Sequence, residues 1–408
     1  MMKLYQDRQI FTLLELEEQR QTSGINLIAS ENYASDQVRA IVGSVLSNKY
    51  VEGYPYKRYY SGCGLYDQIE TLAIDRFREI FKAEHVNVQP HSGSQANAAV
   101  YMALLQPGDT ILSMDLAAGG HLSHGHKANW THQFYRIISY GVDPVSFRLD
   151  YDQIYQLALQ HKPKLIIAGA SAYSRAIDFE KFEKIARAVG AFLLADIAHI
   201  AGLVAAGLHQ SPVPYADVVT MTTHKTFRGP KGGLIMCKKN FAAAIDKMVM
   251  PGMQGGALMH HVAAKAVAAY EAMQDSFLVY QKQVIANAQV MAQEFVDRGY
   301  CVVTGGTDNH LLLVDVASSG IQGKLAEELL ESVSIFVNRN TIPFDKNSPL
   351  NPSGIRCGTA AITTQGFTQN DVKKIVTLID RTLQNRDNRT ILQEIRLQVI
   401  ALQHQRNL

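Results

Sequence analysis

Four short apolar runs, Leu165–Ala168, Phe192–Ala195, Val218–Met221 and Leu234–Cys237, each closed off by polar or glycine residues, constrain the fold of this chain most. A strand with one solvated face alternates, whereas an unbroken apolar run reads as a strand covered on both faces. Helical segments sit among these runs. Ile69, Leu72, Ala73, Phe77, Ile80 and Phe81 recur at helical spacing, Ser94–Leu105 and Phe179–Val189 read as helices, and Asp109–Met114 reads as a further strand. Strands alternating with helices predict an α/β fold: a mostly parallel sheet with helices on both faces. After a helix near Leu258–Met273, the amphipathic stretch Gln281–Asp297 leads into a second, smaller α/β unit. Its pieces are strands at Tyr300–Val303, Leu311–Val316 and Ile335–Asn338, a helix at Lys324–Glu331 and helices beyond Gln369. At 408 residues the chain is long enough for both units.

Composition narrows the partners. The formal net charge is +2, from 39 basic against 37 acidic residues without a block of like charge, so no nucleic-acid or other polyanionic partner is expected. Cys63, Cys237, Cys301 and Cys357 are dispersed, with no C-x-x-C pair. That argues against a disulfide framework and a thiolate metal site, and for a reducing cytoplasm. Met1–Glu18 mixes Lys3, Asp7, Arg8, Glu15, Glu17 and Glu18 among apolar residues and lacks the apolar core of a signal peptide. Ala191–Leu208 is mostly apolar, but Asp196, His199, Gly202 and Gly207 interrupt it, which favours a buried strand and turn over a membrane span.

Three places carry chemistry. In Val218–Pro230 an apolar strand delivers Lys225 into a cluster of hydroxyls before a Gly-Pro turn. A free lysine titrates near ~10.4, so capturing a carbonyl at neutral pH needs burial or neighbouring positive charge, which Arg228 could supply. An ordinary strand-end lysine fits this segment equally well. Gln89–Asn97 puts Ser92, Gly93 and Ser94 at the entry to an apolar helix, where backbone N–H groups and the helix dipole meet an anion; a plain serine N-cap reads the same way. Asp196 ends the run Ala191–Ala195 at the edge where open α/β sheets bind ligands. There it could hold a pyridinium nitrogen protonated, or cap the next turn. An anion site, a carboxylate and an amine on successive strand ends are together what pyridoxal phosphate requires. His121, His124 and His126 also suggest a metal, but no cysteine or nearby carboxylate completes a ligand set and none is expected.

Leu27–Asn32, Glu52–Pro55, Gln89–Asn97, Asp196–Leu203, Thr223–Thr226, Gly305–His310 and Gly354–Arg356 resemble the signature blocks of serine hydroxymethyltransferase. The resemblance implies a fold-type I pyridoxal-phosphate transferase. Residues 1–45 would be an N-terminal arm, 46–278 a large cofactor-binding domain with a mostly parallel seven-stranded sheet, and 279–408 a smaller C-terminal α/β domain. It further implies reversible interconversion of serine and glycine, with the one-carbon unit passed to tetrahydrofolate as cosubstrate. The enzyme would be a homodimer, or a dimer of such dimers, with active sites at the subunit interface.

By the same resemblance, Lys225 would hold the cofactor aldehyde and Asp196 would pair with the ring nitrogen. Ser92, Gly93 and Ser94 would hold the phosphate, joined across the interface by Tyr50 and the Gly255–Gly256 turn. His121 would stack on the ring, with Ser171 and His199 around its hydroxyl. Arg356 would take the substrate carboxylate, which a planar guanidinium matches bidentately, and Ser30 would lie beside it. Glu52 would be the acid/base near the substrate hydroxyl and the folate; His224 and Tyr60 complete the catalytic positions, with Tyr59 and Tyr60 flanking substrate. Leu116, Gly120, Leu122 and Asn340 match folate-contacting positions.

The chain departs from the usual family pattern at Gly64, where Glu is common, at Ala118, usually His, at Ala257 and Ala360, usually prolines, and at Gln365, often Arg. The missing prolines are expected to loosen two loops. Two other functions stay in view: a folate-independent aldolase or transaldolase acting on β-hydroxy amino acids, and a non-catalytic relative on the same scaffold. Retention of Glu52, Tyr60, Asn340 and the cofactor residues favours the transferase.

Overall fold

The structure, a computed structural model, describes residues 7–406; the start of the expected N-terminal arm, including Lys3, lies outside the described residues. Seven strands form the central sheet: β1 (His85–Asn87), β2 (Thr110–Met114), β3 (Arg136–Tyr140), β4 (Leu165–Gly169), β5 (Phe192–Asp196), β6 (Val218–Thr222) and β7 (Gly233–Cys237). Their spatial order is β1-β7-β6-β5-β4-β2-β3. Strands β2 to β6 are parallel, and β7 runs antiparallel to both of its neighbours. Gly169 pairs with Asp196, and Asp196 with Thr220, so β4, β5 and β6 end close together.

Every residue of β4, β6 and β7 is buried, as coverage on both faces demands. Successive side chains go to opposite faces. Leu193 and Ala195 join the core beneath the helices Gly64–Phe81, Phe179–Val189 and Met259–Ala272, while Leu194 joins the core beneath Gly93–Leu104. The edge strands β1 and β3 are absent from the sequence expectations for a physical reason. Arg136 and Ser139 of β3 are exposed and β1 has only 3 residues, so neither presents an apolar run.

The second unit holds an antiparallel sheet of Cys301–Val302, Leu311–Asp315, Asn338–Asn340 and Gly354–Gly358. The strand expected at Ile335–Asn338 is in fact two. Ile335–Phe336 pairs in parallel with Ile25–Asn26, and the chain changes partner at Val337 before joining the antiparallel sheet. Ile25 and Leu27 therefore share a core with Phe295, Leu312 and Ile355. The helix Asp275–Asp297 spans both units, burying Phe277 in the first core and Met291 and Phe295 in the second. Arg175 pins the units together, donating to Thr304 O at 2.7 Å and pairing with Asp308 at 2.9 Å. Among the described residues, no helix is long and apolar enough to cross a membrane.

Candidate active site

Lys225 follows β6 by three residues and is 8 % exposed. Its amine makes no hydrogen bond or ion pair among the described residues. Burial pulls its pKa down to about 8, with Asp196 opposing and Arg356 adding to the fall. About a tenth of the amine is thus uncharged at pH 7, against well under a thousandth for a free lysine, and that is the form that attacks a carbonyl. The sequence offered Arg228 as a contributor to the neighbouring positive charge, and the structure corrects this. Arg228 adopts a left-handed φ of 61° and turns to the Tyr280 ring, 5.1 Å from its centroid, and to Glu271 at 3.8 Å.

Asp196 is held as an anion. Its Oδ2 accepts from Asn97 Nδ2 at 2.8 Å and His124 Nε2 at 2.9 Å, and its Oδ1 accepts the Ala198 N–H at 3.0 Å. His124 Nδ1 accepts the His121 N–H at 3.3 Å, which puts the ring proton on Nε2 and makes that nitrogen the donor to Asp196. Thr220 Oγ1 donates to Asn97 Oδ1 at 2.6 Å and fixes the amide the same way. Burial pushes the carboxyl up, but the hydrogen bonds from His124 and Asn97 outweigh it, leaving the group well below the usual carboxylate range. Neither Asn97 nor His124 was assigned a role from sequence. The available signal was spacing: Asn97 lies one helical turn beyond Ser94, on the helix that packs over the sheet. With both ring nitrogens engaged, His124 has none left for a metal.

The helix Gly93–Leu104 begins at the same sheet edge. Ser92 Oγ accepts the Gln95 N–H at 3.2 Å, which leaves the N–H groups of Gly93 and Ser94 at the open tip between two exposed serines. A Cβ on Gly93 would lie 2.7 Å from Thr222 Cγ2, so the tip is pressed against the end of β6 and only glycine permits the approach.

Four imidazoles surround these groups. His121 Nδ1 accepts the Ser123 N–H at 3.2 Å, and His199 stacks on His310 with centroids 5.5 Å apart. Burial pulls His121 and His224 down to about 4 and His310 to about 3, and it pulls His199 well below its ordinary value; the charge of Lys225 adds in each case. All four are neutral at pH 7, and a neutral His121 is suited to lie flat on an aromatic ring. The unfolded chain takes up these protons near ~6.5, so between there and about 4 it binds more protons than the folded chain, and stability falls as pH falls. His121 and His224 should each contribute up to about 1.4 kcal/mol per pH unit in that window. Urea-unfolding midpoints at about pH 7 and about pH 5 check this; equal midpoints contradict neutral burial.

Arg356 projects from the strand Gly354–Gly358, donating from Nη1 to Ser171 O at 2.7 Å and from Nε to Asn338 Oδ1 at 3.0 Å. Burial lowers its pKa to about 10, still a cation at neutral pH, and Nη2 has no partner among the described residues. A cavity of about 790 Å³ is lined by Arg356 together with Leu116, Gly120, His121, Leu122, Ser171 and Asn340. Ser30 is half-buried between two anchors: Ala29 O faces His310 Nε2 at 3.2 Å, and Asn32 Nδ2 donates to Lys225 O at 2.8 Å.

Tyr50, Glu52, Tyr60, Gly255 and Gly256 do not line that cavity. They form a separate surface. Tyr50 OH donates to Glu52 Oε1 at 3.2 Å and the Tyr60 ring meets Tyr50 edge-on at 5.2 Å, while a Cβ on Gly255 would lie 2.8 Å from Glu52 Oε1. Tyr50 is 55 % exposed and Tyr60 46 %, high for aromatic rings that touch one another. Ala257 N–H donates to Val51 O at 3.1 Å, a tie that a proline cannot make, so the loosening expected at this position is offset. A buried network underlies the hairpin Gly53–Arg58. Arg58 pairs with Asp67 at 2.8 Å and Glu70 at 2.6 Å, and Gln89 Nε2 donates to both Gly53 O at 3.0 Å and Glu70 at 2.7 Å.

Residues 4–379 of the chain match the family model for serine hydroxymethyltransferase. The chain belongs to that family. Serine hydroxymethyltransferases are fold-type I pyridoxal-phosphate enzymes, and this one interconverts serine and glycine with tetrahydrofolate as cosubstrate. The residues at the sheet edge fit the cofactor: a buried amine without an ion partner, a carboxylate kept ionised, and a helix tip with open N–H groups and no room for a Cβ. As a serine hydroxymethyltransferase, the chain keeps its departures Gly64 and Gln365 outside the lining of the cavity.

Proposed function

We propose that this serine hydroxymethyltransferase works in the cytoplasm as a dimer whose active sites are each shared by two copies of the chain. Each copy is divided into an arm (1–45), a large unit (46–278) and a small unit (279–408). The observation that carries the shared site is the split described above: Tyr50, Glu52, Tyr60 and Gly255 form an exposed surface apart from the cavity around Arg356. Exposed, mutually packed aromatic side chains beside a carboxylate suit an interface better than open water.

In this reading Lys225 holds the aldehyde carbon, Asp196 the ring nitrogen, and Ser92, Gly93 and Ser94 the phosphate, with Tyr50, Gly255 and Gly256 reaching it from the other copy. His121 lies on the ring, and Ser171 and His199 flank its hydroxyl. Pyridoxal phosphate, when bound, supplies the electron sink that lets the bond between the α- and β-carbons of serine break. Arg356 fixes the α-carboxylate beside Ser30 and so orients that bond. Glu52 of the other copy removes the proton from the serine hydroxyl through the carboxylate oxygen that Tyr50 does not occupy. His224 and Tyr60 enclose the reacting groups, and Leu116, Gly120, Leu122 and Asn340 bind the folate that accepts the one-carbon unit.

A mixing experiment tests the sharing. Lys225→Ala and Glu52→Gln chains, each inactive alone, should regain about a quarter of wild-type activity when reassembled at random, because half the dimers then carry one undamaged site of two. No recovery in proven hybrids places both residues in the same copy's site and overturns the proposal.

A further inference from the structure

Lys265 has no part in the chemistry above. It lies midway along the helix Met259–Ala272 and is 2 % exposed. Its ammonium donates to three backbone carbonyls, Val88 O at 2.6 Å, Gly233 O at 2.7 Å and Pro90 O at 3.0 Å. Three N–H donors meet three acceptors, a match that no other side chain at this length provides. No carboxylate lies within ion-pair distance of it among the described residues; burial pulls its pKa down to about 7, and the three carbonyls, which only the ammonium satisfies at once, favour the charged form against that pull.

The acceptors show what the ammonium holds. Val88 and Pro90 belong to the turn that leads from β1 into Ser92, and Gly233 opens β7. Gly233 N–H also donates to Pro90 O at 3.0 Å, and a Cβ on Gly233 would lie 2.2 Å from Ser92 O. The lysine thus fastens the turn to β7 immediately before the helix tip. The space for its stem is specific too, since a Cβ on Gly232 would lie 2.5 Å from Lys265 Cε.

We infer that Lys265 is the positioning residue of the phosphate cradle, its ammonium fixing the carbonyls of Val88, Pro90 and Gly233 so that the N–H groups of Gly93 and Ser94 keep their aim at the phosphate. This rests on the reading of Ser92–Ser94 as the phosphate site. The test is titration of the full-length, cofactor-stripped protein with pyridoxal phosphate and with pyridoxal, which keeps the aldehyde but lacks the phosphate. Lys265→Met keeps the apolar stem and removes the donors. Its Kd for pyridoxal phosphate should rise about tenfold or more while its Kd for pyridoxal stays within about twofold of wild type. Gly232→Ala, which displaces the ammonium without deleting it, should shift the same ratio less, and it decides the matter if Lys265→Met does not fold. Equal weakening for both ligands assigns Lys265 a general structural role and overturns the inference, as does a phosphate preference that survives both variants. A wild-type protein that binds the two ligands equally overturns the cradle reading itself, and the inference with it.

Discussion

Lys225→Ala is expected to turn over serine about 10⁵-fold more slowly than the wild type, the lower end of the advantage that a positioned reacting group holds over one in solution. The lysine stands at a strand end, buried, with its pKa pulled down to about 8, so the uncharged amine is far more populated near neutrality than in a free lysine. Among the described residues the other buried lysine is Lys265, and three carbonyls hold it in place. Borohydride should fix the cofactor covalently to the wild type and not to the variant, and added methylamine should restore part of the rate. Covalent fixation in Lys225→Ala would show that another amine carries the aldehyde.

Asp196→Asn should cost on the order of 10³-fold in kcat/KM, the loss that accompanies breaking a buried charge pair of about 3–5 kcal/mol. The geometry makes the isosteric change severe. His124 Nε2–H and Asn97 Nδ2–H both point at one oxygen of Asp196 and the Ala198 N–H at the other. An asparagine amide must therefore set its NH₂ against one of these donors whichever way it is flipped. Part of the loss should appear as a melting temperature lowered by an unsatisfied buried donor worth about 1–3 kcal/mol. The informative readout is the split: Asp196→Asn should lose kcat, whereas His124→Gln, which can still donate to the carboxylate, should retain most of it. Wild-type kcat in Asp196→Asn would mean that the ring nitrogen needs no anion.

The core of the candidate site was legible because each of its parts ends an apolar strand or opens an apolar helix. Lys225, Asp196 and Ser92–Ser94 stand where hydrophobic runs stop, and such boundaries survive in a linear reading. What escaped was transverse. His124 and Asn97 act on Asp196 from other elements, and nothing in a single segment marks which buried polar groups will face each other across a sheet. Arg228 was misjudged for the same reason. Three residues from Lys225 in sequence, it leaves by a left-handed turn, while Arg356 arrives from the second unit to supply the charge. In the fold, double burial revealed the central strands, whereas the three-residue β1 and the partly exposed β3 had no such marker.

Glu70 accepts from Arg58 beneath the Glu52 hairpin and from Gln89 at the start of the phosphate turn. In a dimer with shared sites, the hairpin serves one catalytic centre and the turn serves the other. A single carboxylate then underpins both. Under the proposed roles, a substitution at Glu70 is expected to disturb the Glu52 hairpin and the Ser92 turn together.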